Sequence, residues 1–186
     1  MPLDTRRGAF APRALATGLF AAALAATQST SAHVTLETPQ ADAGSAYKAV
    51  LRIAHGCEGS PTREVVVLIP PGVRGAQPMA KAGWRVDAVR ATLAQPYMRH
   101  GRTVTEDVSA VRFSGGSLPD GVYDEFVVVA QLPDQPGALY WKVVQVCDQG
   151  RNDWIEVPGA GQSAHDLKAP AAVLEVRPSA HAAHEH

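Results

Sequence analysis

Ala138-Leu-Tyr-Trp-Lys-Val-Val-Gln-Val-Cys147, then Asp148-Gln-Gly-Arg-Asn152, then Asp153-Trp-Ile-Glu-Val157 reads as a strand, a turn and a returning strand. The first segment is dense in aromatic and β-branched residues, which fit a pleated, half-buried surface. The connection is built from Asp, Gly and Asn, the residues that accept turn geometry. Upstream, Pro133-Asp-Gln-Pro-Gly137 breaks an earlier strand over Tyr123 to Leu132, whose centre is Phe126-Val-Val-Val129. Val108 to Phe113 alternates and halts at Ser114-Gly115-Gly116. Glu64 to Ile69 is a short apolar run bounded by Pro70-Pro71-Gly72, as a buried strand would be.

Tyr47 to Ile53 and His33 to Thr38 extend the pattern towards the N-terminus, and Ala172 to Val176 supplies a last edge strand. Gly83 to Val89 is a further strand candidate. Val73 to Met79 is irregular, and Gln95 to Asp107 is a hairpin connection or an exposed loop. No helical period appears after residue 33. Many short strands separated by turn signals predict an all-β fold, a sandwich or a barrel.

The first 32 residues have a different character. Arg6, Arg7 and Arg13 face one acid, Asp4; Ala14 to Ala26 is apolar; Thr30-Ser31-Ala32 is small. This basic, apolar, small-residue order is that of a secretory signal peptide. The apolar run is shorter than the roughly 20 residues that span a bilayer. Twin arginines Arg6-Arg7 are compatible with Tat export. The predicted organisation is residues 1–32 as signal peptide, 33–177 as one domain, and 178–186 as a disordered tail bearing His181, His184 and His186. The expected location is periplasmic or secreted, with no transmembrane segment in the mature chain.

The formal net charge of −1 includes the signal segment's arginines, so the remainder is slightly more acidic. There is no basic stripe, which argues against nucleic acid. Cys57 and Cys147 are the only cysteines. In an exported chain a disulfide is the default reading, and a pair of metal thiolates is the alternative.

Cleavage after Ala32 would leave His33 as the first residue. Its free α-amine and ring Nδ1 can then chelate one metal ion, which an internal histidine cannot do. A Cys57–Cys147 link would bring the loop carrying Glu58 to the hairpin carrying Trp154. Two nitrogens and a carboxylate oxygen suit Cu(II), and Trp154 would lie near the metal. His55, three residues before Glu58, is a second candidate ligand, an outer partner or a surface residue. His100 and His165 stand in polar surroundings and read as surface residues.

The order of His33-Val-Thr, Ala43-Gly44, Glu64 to Val73, Pro78 to Trp84, Ser114-Gly-Gly116 and Gln145 to Gly150 followed by Trp154 resembles the YcnI-like copper-binding proteins of the bacterial envelope. The resemblance covers roughly residues 33 to 157. It implies an immunoglobulin-like or cupredoxin-like β-sandwich holding one Cu2+ in a brace from a single N-terminal histidine. His33 matches that histidine, Glu58 the carboxylate and Trp154 the tryptophan near the metal. The His55-Gly-Cys-Glu loop and Cys147 depart from the family pattern, which leaves the third ligand open between Glu58 and His55.

The expected function is a non-enzymatic copper carrier or buffer that exchanges metal with other envelope copper-handling proteins. The alternative is a copper-dependent oxidase or monooxygenase. That activity normally adds a second histidine and a flat aromatic face, and only 6% of the residues are aromatic. A purely structural adhesion sandwich is a third reading.

Overall fold

The computed structural model describes residues 33–179. The expected signal peptide and His181, His184 and His186 lie outside the described residues. The strands are β1 (Thr35–Leu36), β2 (Gln40–Asp42), β3 (Ala46–Ile53), β4 (Thr62–Leu68), β5 (Arg74–Pro78), β6 (Arg85–Arg99), β7 (Arg102–Leu118), β8 (Asp124–Gln131), β9 (Gly137–Cys147), β10 (Arg151–Trp154) and β11 (Ala172–Arg177). A single 3-10 turn, Ala164–Asp166, lies between β10 and β11.

Two sheets result. One has the order β1-β3-β8-β5; the other runs β2-β11-β9-β4-β7-β6, with β10 also paired to β9. All pairings are antiparallel except β2 with β11. Alternation decides which side chains meet between the sheets. Along β9, Trp141, Val143, Gln145 and Cys147 are buried, while the residues between them are only partly covered. Val65, Val67, Val111 and Phe113 from the larger sheet join Leu51, Phe126 and Val128 from the smaller one in a single core. Phe113 and Phe126 meet across the interface edge to face, centroids 5.2 Å apart. Each fully buried side chain of this kind is worth roughly 1.5–3 kcal/mol of transfer free energy.

The fold is therefore the predicted all-β sandwich. It differs from the sequence expectation in several places: Gln40–Asp42 is an added edge strand, the returning strand is Arg151–Trp154 and not Asp153 to Val157, and three further differences have a plain physical reason. Arg74–Pro78 is a strand, not irregular; its pairing with β8 slips between Arg74 and Gln77, where Gly75 has φ +60°, so no alternation marks it. Gln95 to Asp107 is the far half of a long β6–β7 hairpin that is mostly exposed and so carries no hydrophobic period. Strand β7 also runs through Ser114-Gly115-Gly116. The reason is packing: a Cβ on Gly116 would lie 2.2 Å from the Trp84 indole, which packs edge-on to Phe126.

Candidate metal centre

The site grows from a polar residue in the core. Gln145 occupies an inward position of β9 and is completely buried. Its Nε2 donates to the His55 carbonyl at 2.7 Å and to Thr62 Oγ1 at 2.8 Å. Its Oε1 accepts the Trp154 indole N–H at 3.0 Å and the Asn152 amide at 3.4 Å. One side chain thus ties the loop between β3 and β4 to the end of β10. A buried amide is tolerated because its hydrogen-bonding capacity is met.

Trp154, 5% exposed, presents its ring to two histidines. The His33 ring stands edge-on to it at 5.7 Å between centroids, and the His55 ring does the same at 6.0 Å. His55 Nδ1 lies 2.5 Å from the Gly56 carbonyl oxygen. A carbonyl only accepts, so in this contact Nδ1 is the donor. The loop is locked from behind: the Gly56 N–H donates to Asp120 Oδ1 at 2.7 Å, and a Cβ on Gly56 would fall 1.9 Å from the Ser60 carbonyl oxygen.

Glu58 follows in the same loop. It begins a two-residue turn closed by Cys57 N–H to Ser60 O at 3.0 Å and Ser60 N–H to Cys57 O at 2.9 Å. Glu58 and Gly59 have φ of +50° and +87°, and for Glu58 the left-handed conformation costs roughly 1–2 kcal/mol. Glu58 lines a small cleft with Cys57, Gln149, Gly150, Arg151 and Asn152. Among the described residues no group of three or more His, Cys, Asp or Glu side chains is gathered for a metal. A brace draws two donors from one residue, so it needs the His33 α-amine as well as side chains; while Ala32 is attached, that nitrogen is an amide.

The expected Cys57–Cys147 disulfide is present, with Cα atoms 6.0 Å apart across a separation of 90 residues. Arg63 grips Asp148 beside it through two bonds of 2.6 and 2.8 Å, which hold the Asp148 carboxyl below its ordinary range. His100 is exposed at the tip of the β6–β7 hairpin. His165 is exposed too, yet it shares with His33 a cavity of about 330 Å³ walled by Leu36, Pro39 and Pro170. Gln145 and Asp120 were not picked out as site residues from the sequence. Gln145 had a signal, since a glutamine at the inward parity of an apolar strand needs buried partners; Asp120 had none beyond its turn.

Residues 33–176 match the family profile described as "Domain of unknown function (DUF1775)". No curated protein matches the sequence. Among solved structures, an uncharacterized protein from Nocardia farcinica, reported to have an immunoglobulin-like fold, is 22% identical, with a TM-score of 0.59 over 77% of this chain and 97% of that one. A Corynebacterium diphtheriae protein described as membrane anchored is 10% identical, with a TM-score of 0.38 over 79% of this chain and 34% of its own. The first likeness agrees with the sandwich described above. Among the described residues no helix is long and apolar enough to cross a membrane.

Proposed function

Since the chain belongs to the DUF1775 family, we propose that it is an exported, YcnI-like copper carrier whose cargo is held by the His33 α-amine, the His33 ring and His55. The observation that carries this reading is that the His33 and His55 rings both stand against the same buried indole. Amine and imidazole nitrogens are the donors that Cu(II) favours. Trp154 would cover one side of the ion and limit access of water. Gln145 would fix both the indole and the His55 backbone, so that the site keeps its shape when the metal leaves.

Between the two candidate third ligands, the contact with Trp154 favours His55, and Glu58 lies on a neighbouring cleft. The strained backbone of Glu58 is the observation that favours the other choice. The tail histidines add weak sites and have no part in the brace.

Processing and loading test the reading together. Protein recovered from the periplasm or medium should have an intact mass starting at His33 and should hold one Cu(II) per chain tightly, apart from weak uptake by the tail histidines. A mature chain starting elsewhere removes the amine ligand and the proposal with it. Two histidines on one indole also favour a second reading, an oxidative copper site. Ascorbate-driven peroxide formation above that of free copper would select it; a rate at or below free copper supports the carrier.

A further inference from the structure

Strand β5 and the β6–β7 hairpin meet at Tyr97. Its hydroxyl donates to Asp107 Oδ2 at 2.7 Å, the Gly75 N–H donates to the same oxygen at 2.7 Å, and the Val108 N–H donates to Asp107 Oδ1 at 2.7 Å. The buried Asp107 carboxylate is therefore satisfied internally and is turned away from solvent. Two guanidiniums flank the same tyrosine. Arg74 lies over its ring, Cζ 5.2 Å from the centroid, and its acidic neighbour Asp134, on the exposed rim, is 3.8 Å away. Arg99 lies over the Gly75 backbone so closely that a Cβ there would be 2.6 Å from its Nη1. With Met98, His100 and Gln131 these residues line a cleft of about 290 Å³.

We infer that this cleft binds a phosphate-type oxyanion, gripped between Arg74 and Arg99, with its organic substituent lying along Met98. A guanidinium presents five N–H donors in a fork that matches phosphate oxygens in pairs. Stacking on Tyr97 holds the Arg74 fork without using those donors. Gly75, with φ +60° and no side chain, leaves room for the Arg99 guanidinium over its backbone. The volume fits a phosphate group and a small substituent and is at the low end for organic ligands. None of His33, His55, Glu58 or Trp154 lines this cleft, so the inference does not rest on the copper reading.

The test follows amide resonances of Gly75 and Tyr97 to His100 in the exported protein. Inorganic phosphate is titrated at constant ionic strength, with chloride as the matched control. Saturable shifts confined to these amides are expected with phosphate and not with chloride. Arg74→Gln and Arg99→Gln should each weaken the response by about tenfold, the scale of one lost charge-assisted bidentate contact. Arg99→Lys keeps the positive charge and should still weaken it, because it loses the fork. Co-sedimentation with anionic phospholipid vesicles, against zwitterionic ones, separates the sources: binding lost in both arginine variants assigns a lipid headgroup, and phosphate shifts without vesicle binding assign a soluble phosphate ester. Absence of phosphate shifts, or variants with unchanged melting temperature that respond like the parent, overturns the site.

Discussion

Gln145 accepts the Trp154 indole N–H at 3.0 Å while donating to the His55 carbonyl at 2.7 Å, so one buried amide sets the distance between the two sides of the candidate centre. Gln145→Leu keeps the volume and removes every bond. It leaves the Trp154 N–H and the His55 carbonyl without their partner, at about 1–3 kcal/mol for each buried group. Denaturant unfolding should show a loss of about 2–6 kcal/mol, and copper affinity should fall with it. A variant as stable as the parent would mean that this network does not organise the site.

The Cys57–Cys147 bond closes a loop of 90 residues, for which chain entropy gives about 4–5 kcal/mol, and less where the unfolded chain retains structure. Alkylation of native protein without reductant should label neither cysteine. A Cys57→Ser, Cys147→Ser double variant should lower the midpoint of unfolding and loosen the loop that carries His55. Labelling of both cysteines in the native oxidised protein would contradict the link.

Burial pushes the Asp107 carboxyl up, but the Gly75 N–H, the Tyr97 hydroxyl and the Val108 N–H together hold it below its ordinary 3.8. A depressed carboxyl contributes stability that is present above its unfolded value and is lost as pH falls through the folded one. Thermal stability should therefore decline as pH drops below about 4, and Asp107→Asn should flatten part of that decline. An unchanged acid slope in Asp107→Asn would show that the contact between β5 and the hairpin does not depend on this charge.

The third ligand separates by substitution. His55→Ala should weaken copper binding strongly, and Glu58→Gln only slightly. Glu58→Gly should also stabilise the fold by about 1 kcal/mol, because glycine relieves the left-handed backbone at φ +50°. The reverse order of copper affinities would return the ligand role to Glu58.

The sandwich was legible because its core strands are strongly patterned: Phe126 to Val129 and Trp141 to Cys147 alternate or run apolar between clear turn residues. The outer half of the β6–β7 hairpin was not, since a stretch exposed over most of both faces imposes no hydrophobic period. At the centre, His33, Trp154 and the cysteines stood out by position and residue type. The joint contact of His33 and His55 with Trp154 depends on how the loop between β3 and β4 folds onto β10, through Gln145 and Asp120. His165 shares a cavity with His33 although more than 100 positions separate them, and no local spacing records such a meeting.

The most direct measurement is a Cu(II) titration of protein starting at His33 and ending at Arg177, beside the same protein with one residue added before His33. The extra residue converts the amine to an amide and leaves every side chain in place. Binding of one ion to the first protein is predicted, with affinity falling as pH drops below about 8, where the free amine takes up a proton. In the extended protein the loss should exceed the roughly 10–100-fold typical of a missing outer-shell partner. Equal affinity of the two proteins would contradict the brace.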